Sequence, residues 1–231
     1  NNSDNHYCTV CTDEKFQRSN YCNDINQKQK MIEYISRHAD YIYALQDLVA
    51  FLPKNQVWNR FYVIASELED AKSSIIKKYT STKIINITHL PTNKILKGTN
   101  IIEEAMRKIC NKYGDRINYT STKLSNAEVL ETLKNTHILI DQMHGYYALL
   151  SVEAMSLGCV VLCRMPSWHR KGIQNSPIVN ISEANIYDKI ESLINDVEKM
   201  KKIAEKSFEY YKRYHSPFSV GNYYKKSMSL N

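Results

Sequence analysis

The sequence predicts an α/β fold, a parallel sheet with flanking helices. Three observations predict it. From residue 84 onward, short β-prone apolar runs alternate with helical patterns of about 10–15 residues, the rhythm of βαβ units. Two segments, Asn100–Glu103 and Ser125–Glu128, have the spacing of a capping box just where helical periodicity begins. Cys159–Cys163 is an unbroken apolar run, the mark of a strand buried on both faces.

Taken in order, residues 1–26 are polar, Asn-rich and aperiodic, and read as an irregular loop. Met31, Ile32, Ile35 and Ala39 recur at helical spacing and predict an amphipathic helix over 27–39. Tyr41–Ala44 is a short β-prone run. Asp47–Leu52 reads as a helix stopped by Pro53, and Gln56–Val63 as strand-like. Residues 66–83 are charged and predict a helix and connector. We place a domain boundary near residue 75: residues 1–75 form the end of a preceding domain, and 76–231 form one Rossmann-like domain. There, Ile84–His89 is a strand and Asn100 to Tyr113 a helix. Arg116–Thr120 is a strand, and the second capping box opens a helix to Asn135. His137–Asp141 is a strand. Tyr147–Leu157 is a helix that Gly158 ends at the C′ position. After the Cys159–Cys163 strand comes another at Pro177–Ile181. Two helices, 183–195 and 197–214, finish the chain.

Composition excludes several classes. The 231 residues are 43% hydrophobic and 24% charged, which argues against disorder. Mean hydropathy is −0.48, and no apolar run approaches the roughly 18 residues needed to span a bilayer. A net charge of +7 attracts phosphates or an anionic surface, but it is too dispersed for a nucleic-acid binder. The first residue is Asn1 and no signal peptide is visible, so the sequence reads as a fragment or a processed chain, with reduced thiols in a cytoplasmic compartment. Cys8-x-x-Cys11 with His6 and Cys22 offers zinc ligands on paper. A second closely spaced pair is lacking, and no metal is expected.

In a parallel sheet, ligands bind beyond the carboxyl ends of the strands, where helix N-termini point amides at anions. That rule selects three loops. The first, His89 to Thr99, carries Asn93, Lys94, Lys97 and Gly98 before a helix. It suits a diphosphate grip, and equally an ordinary basic surface loop. The second, Asp141 to Tyr147, holds Gly145 and two aromatics, Tyr146 and Tyr147. Glu153 follows in a helix that is apolar on most sides, where an unpartnered carboxylate costs energy. A carboxylate there suits the paired hydroxyls of a ribose. The third loop, Arg164 to Gly172, holds Trp168, His169 and Arg170, which suit either a ligand cover or a plain surface loop.

Asp141-Gln142-x-x-x-Gly145-x-x-Ala148 followed by Val152-Glu153-Ala154-Met155-Ser156-Leu157-Gly158-Cys159-Val160-Val161 resembles the donor-binding, C-terminal half of GT-B glycosyltransferases of the family 4 ("group 1") type. Lys97-Gly98-Thr99 is similar to that family's "KG" turn, and Tyr211 to Ser216 to its C-terminal "Y-x-x-x-HS" helix. The likeness covers residues 30–220, and its specific part is 145–161. It implies a nucleotide-sugar donor whose ribose hydroxyls bond Glu153 and whose diphosphate faces Lys97 and the start of the 147–157 helix, with no metal or other cofactor. Two positions depart from the pattern: Gly145 stands where many members have a second Glu, and Thr88-His89 where many have an Arg, so His89 is a candidate for that contact.

The resemblance implies an enzyme that moves a sugar to a glycan or lipid-linked acceptor; the Lys-rich final helices suit either a peripheral contact at the inner face of a membrane or plain solvated faces. Residues 1–75 are too short for an acceptor domain of roughly 150 residues, so the chain alone is expected to be incomplete for catalysis, and no catalytic residue is assigned. A nucleotide-sugar 2-epimerase, which shares an "EA-x-x-LG-x-x-VL" segment, and a noncatalytic nucleotide-sugar-binding module are the alternatives.

Overall fold

A computed structural model describes residues 25–44, 56–58, 71–80, 83–165 and 175–228. The expected helix at 47–52, the cysteines at 8, 11 and 22, and the Trp168 to Gly172 part of the third loop lie outside the described residues. The chain divides into two compact units, one of residues 1–60 with 221–231 and one of residues 61–220.

In the first unit, helix α1 (Ile25–His38) is followed by strand β1 (Ile42–Ala44), which pairs in parallel with β2 (Gln56–Trp58). The amphipathic period of α1 leaves Met31, Tyr34 and Ile35 exposed.

The second unit is a five-stranded parallel sheet with helices around it, as the alternating pattern predicts. Helix α2 (Ala71–Thr80) leads into β3 (Ile85–His89), a short helix α3 (Lys94–Lys97) and α4 (Thr99–Tyr113). Next come β4 (Ile117–Ser121), α5 (Asn126–Asn135), β5 (Ile138–Ile140), α6 (Leu149–Ser156) and β6 (Val160–Cys163). The chain continues through β7 (Val179–Asn180), α7 (Ile186–Ile194) and α8 (Val197–Tyr214), and α9 (Pro217–Ser227) starts in this unit and continues past residue 220 into the first. The sheet order is β4-β3-β5-β6-β7. The chain steps outward from β3 to β4, then returns to build on the other side of β3. The order therefore reverses between β3 and β5, and it is beyond the carboxyl ends of the strands at such a switch point that the crevice of a parallel sheet takes its ligands.

The period of two along the central strands divides the core. Ile138 and Ile140 of β5 and Val160 and Leu162 of β6 join the layer under α4 and α7. Leu139, Val161 and Cys163 join the opposite layer with Leu133 of α5, Met155 of α6 and Tyr211 of α8. Both central strands are buried on both faces, so an unbroken apolar run is what they require.

Helix α2 fastens the opposite end of the sheet. Its Tyr79 hydroxyl donates to the carbonyls of His137 (2.8 Å) and Gly158 (3.1 Å). Lys78 Nζ donates to the carbonyls of Thr136 (3.0 Å) and Leu157 (2.9 Å). Those carbonyls end α5 and α6, where the helix dipole favours a cation.

Three local expectations need correction. The capping box at Asn100–Glu103 does not form. Asn93 caps the short α3 by accepting from the amides of Ile95 and Leu96, and Gly98 at φ 66° carries the chain directly into α4. Thr99 is already helical, and Glu103 instead accepts from the Tyr119 hydroxyl at 3.1 Å. Helix α6 begins at Leu149, not Tyr147, because Gly145 sits at φ 92° and Ala148 is extended. A third helix, α9, follows the two expected at the C-terminal end. Its signal was present: Ser216 caps it, accepting from the Ser219 amide at 3.2 Å, and Pro217 takes the first helical position.

Candidate functional site

Two loops wall the crevice at the switch point, and both are fixed by short-range geometry. On the β3 side, Gly98 turns the chain between α3 and α4 in the left-handed region. A side chain at this position would bring its Cβ to 2.6 Å from Met143 Cβ, so only glycine permits this approach. The Met143 amide donates to the Lys97 carbonyl at 3.0 Å and locks the two loops together. On the β5 side, Gln142 donates from its side chain to the Tyr146 carbonyl, and its own carbonyl accepts from the Arg164 amide at 3.0 Å.

The charges meet across this crevice. Lys97 Nζ lies 2.5 Å from Asp141 Oδ1. The Asp141 side chain is fully buried, while that of Lys97 keeps 13% of its surface exposed. The second carboxylate oxygen, Oδ2, accepts from the Ser151 hydroxyl at 2.6 Å. Ser151 lies in the first turn of α6, so one carboxylate ties the α3–α4 turn to the start of α6. The sequence marks Asp141 as the strand end that opens the second loop and the Asp141-Gln142 motif, but it assigns no contact to Asp141 and does not single out Ser151. The pairing of an acid and a lysine 44 residues apart depends on strand order, which carries no local signal.

Glu153 lies one residue pair further along α6. Its flanking residues Val152 and Ala154 are fully buried, and Glu153 itself is half-buried. Its carboxylate makes no hydrogen bond or ion pair among the described residues. Burial is the main cause that raises its pKa above the ordinary carboxylate range, and the nearby Asp141 charge adds to it. A carboxylate held this way is an acceptor awaiting a donor.

His89 lies beneath the crevice. Its ring is fully buried, with Nδ1 at 2.8 Å from the Ile140 carbonyl and Nε2 at 2.9 Å from Thr99 Oγ1. A carbonyl only accepts, so Nδ1 carries the proton and Nε2 accepts from the threonine hydroxyl. Burial lowers the His89 pKa and keeps the ring neutral. The histidine therefore joins β3, β5 and α4. Tyr147 is also buried, with its hydroxyl 3.3 Å from His215 Nε2 at the end of α8. Asn93 serves as the cap of α3. The structure thus brings Lys97, Gly98, Gly145, Tyr146 and Glu153 to the two walls and sets His89, Asn93 and Tyr147 in their support. The N-cap of α6 is Ala148, and among the described residues no side chain caps the helix.

Neither a protein-family model nor a curated protein sequence matches the chain. Solved structures do match it. HepE of Anabaena, crystallised with UDP and glucose, superposes with a TM-score of 0.59 at 12% identity over 89% of this chain and 67% of its own. Sucrose-phosphate synthase of Thermosynechococcus elongatus gives a TM-score of 0.60 at 13% identity over 95% of this chain and 65% of its own. WaaG, a glycosyltransferase involved in lipopolysaccharide biosynthesis, gives 0.52 at 13% identity over 83% and 62%. The chain thus spans about two thirds of the length of these proteins. At this identity the likeness is one of fold: the five-stranded parallel sheet and its helices form the Rossmann-like architecture that these proteins share.

Proposed function

We propose that this chain is the donor-binding half of a glycosyltransferase that moves a sugar from a nucleotide-sugar to a glycan or lipid-linked acceptor. The observation that carries this reading is Glu153, a half-buried carboxylate without an internal partner, on the wall of the switch-point crevice. Vicinal ribose hydroxyls are donors of the right number and spacing to satisfy its two oxygens. The diphosphate lies between Lys97 and the uncapped start of α6, where an ammonium and a helix N-terminus favour negative charge. As the sugar bond breaks, charge grows on the leaving diphosphate, and those groups stabilise it. Gly98 and Gly145 keep both loops free of side chains where the ligand backbone passes. His89 holds the floor of this site and does not touch the ligand.

In this reading the nucleotide needs no divalent cation, since the chain's own positive groups meet the diphosphate. The acceptor side belongs to a domain other than the unit of residues 61–220. A lipid-linked acceptor puts the reaction at the inner face of a membrane, in line with exposed basic residues of α8 such as Lys206, Lys212 and Arg213. No described helix is long and apolar enough to cross a membrane.

A thermal-shift panel of UDP-, GDP-, ADP- and TDP-sugars tests the proposal. A ligand that binds only the folded state stabilises it by about 2.7 kcal/mol at a hundred times its Kd. At least one sugar nucleotide is expected to raise the melting temperature, with or without EDTA. No shift across the panel at millimolar ligand would overturn it.

A further inference from the structure

The crevice contains a carboxylate that a diphosphate grip does not need. Asp141 bonds the Lys97 ammonium and a neutral hydroxyl at the start of α6 at once. Its Oδ1 takes the Lys97 ammonium at 2.5 Å, and its Oδ2 takes the Ser151 hydroxyl on the first turn of α6 at 2.6 Å. The ion pair sums to zero, so Lys97 brings no net charge to the crevice before any ligand arrives. The same carboxylate acts on Glu153 and on His89, so its field reaches both the α6 wall and the floor. Full burial leaves little solvent to screen it, whereas Lys97 retains a path to the crevice.

We infer that Asp141 is an internal counter-anion: it competes with the ligand diphosphate for Lys97 and the start of α6, and so loosens the site's hold on the nucleoside diphosphate product. The inference rests on the donor-site reading above. A phosphate oxygen within hydrogen-bond reach of Lys97 Nζ lies within about 6 Å of the Asp141 carboxylate. At that range, in a partly desolvated crevice, two like charges repel measurably. Lys97 has three N–H donors and spends one on Asp141, so it still meets the phosphate, but with its charge largely cancelled. An enzyme limited by product release gains from this arrangement. The penalty grows with ligand charge, so it discriminates against the free diphosphate more than against the sugar-esterified donor, which carries less charge.

Calorimetry on the 231-residue chain tests this with UDP, GDP and ADP, the matching monophosphate and the uncharged nucleoside. Asp141→Asn keeps the shape and the Ser151 contact but removes the charge. It should tighten the preferred nucleoside diphosphate about ten-fold, the monophosphate less, and the nucleoside not at all. Weaker diphosphate binding in a folded Asp141→Asn variant would overturn the inference, because Asp141 would then be no more than a prop for Lys97. So would equal gains for all three ligands. If Asp141→Asn does not fold, the double variant Lys97→Gln/Asp141→Asn removes the pair as a unit, which buried pairs tolerate better. It should bind diphosphate more tightly than Lys97→Gln alone, and the reverse order would refute the inference. If the wild-type chain binds none of the diphosphates, the donor-site reading falls first and takes this inference with it.

Discussion

Gly158 packs directly against Ile75. A Cβ at position 158 would overlap Ile75 Cγ1, and the backbone there has φ 65°. The pair joins the turn between α6 and β6 to the buried face of α2, within the unit that holds the switch-point crevice. The sequence signal for this glycine was helix termination; the structure adds that the neighbouring helix leaves no room for a methyl group.

Gly158→Ala should therefore lose stability on two counts, left-handed strain and overpacking, for a total of about 2–4 kcal/mol. Urea denaturation would show it as a lowered midpoint with an unchanged slope. A loss below about 0.5 kcal/mol would mean that α2 moves aside and does not brace the turn.

Acid should destabilise the fold through His137. Its Nδ1 accepts from the Asn86 amide at 3.0 Å, and its Nε2–H donates to the Lys78 carbonyl at 3.2 Å. Protonation would place a second hydrogen against the amide N–H. With burial as the chief cause, the pKa falls from 6.5 to about 4. The folded pKa lies below the unfolded value, so the unfolded chain takes up the proton first as pH falls. The contribution of the neutral ring is complete above pH 6.5 and is lost between 6.5 and about 4, a change of roughly 3 kcal/mol. His89, lowered by its own burial, acts in the same direction. Denaturation midpoints measured across this window should fall steadily, and His137→Gln should flatten the profile. An equally steep fall in the variant would acquit His137.

Glu153→Gln should weaken nucleotide binding about ten-fold or more. A charge-assisted hydrogen bond contributes about 1.5–3 kcal/mol and a neutral one about 1. The fold should survive, because the half-buried carboxylate has no internal partner to lose among the described residues and glutamine suits a helix. A 2′,3′-dideoxy nucleotide separates this role from a structural one. Wild type should bind it poorly, and the variant should lose little more. If Glu153→Gln weakens both nucleotides equally, the carboxylate does not read the ribose.

Much of this architecture is legible in the sequence. The period of two and the unbroken apolar run at Cys159–Cys163 locate β6, since burial on both faces admits no polar residue there. Ser125 and Glu128 form the capping box their spacing predicts, because nothing precedes them to take the amide groups. Asn100 and Glu103 have the same spacing and fail, because α3 already ends at Gly98 and delivers a helical Thr99. Local motifs lose to their neighbours when another helix abuts them. The placement of Lys97, Gly98 and Glu153 near the carboxyl ends of β3 and β5 is legible from the loops at strand ends. The Lys97–Asp141–Ser151 chain is not, because it exists only once β5 pairs with β3. His89 carried a misleading signal: a histidine at a strand end looks available, but full burial commits both of its nitrogens to the scaffold.

The claim at the centre of this account is that the crevice between β3 and β5 holds a nucleoside diphosphate. A calorimetric titration of the 231-residue chain with UDP, GDP and ADP in the presence of EDTA tests it most directly. The account predicts saturable heat with at least one of the three, a Kd between micromolar and millimolar, and a marked loss of that heat in Lys97→Gln, which leaves the Asp141 carboxylate facing the phosphates. Absence of heat with all three at millimolar concentration, or binding that Lys97→Gln leaves unchanged, would contradict it.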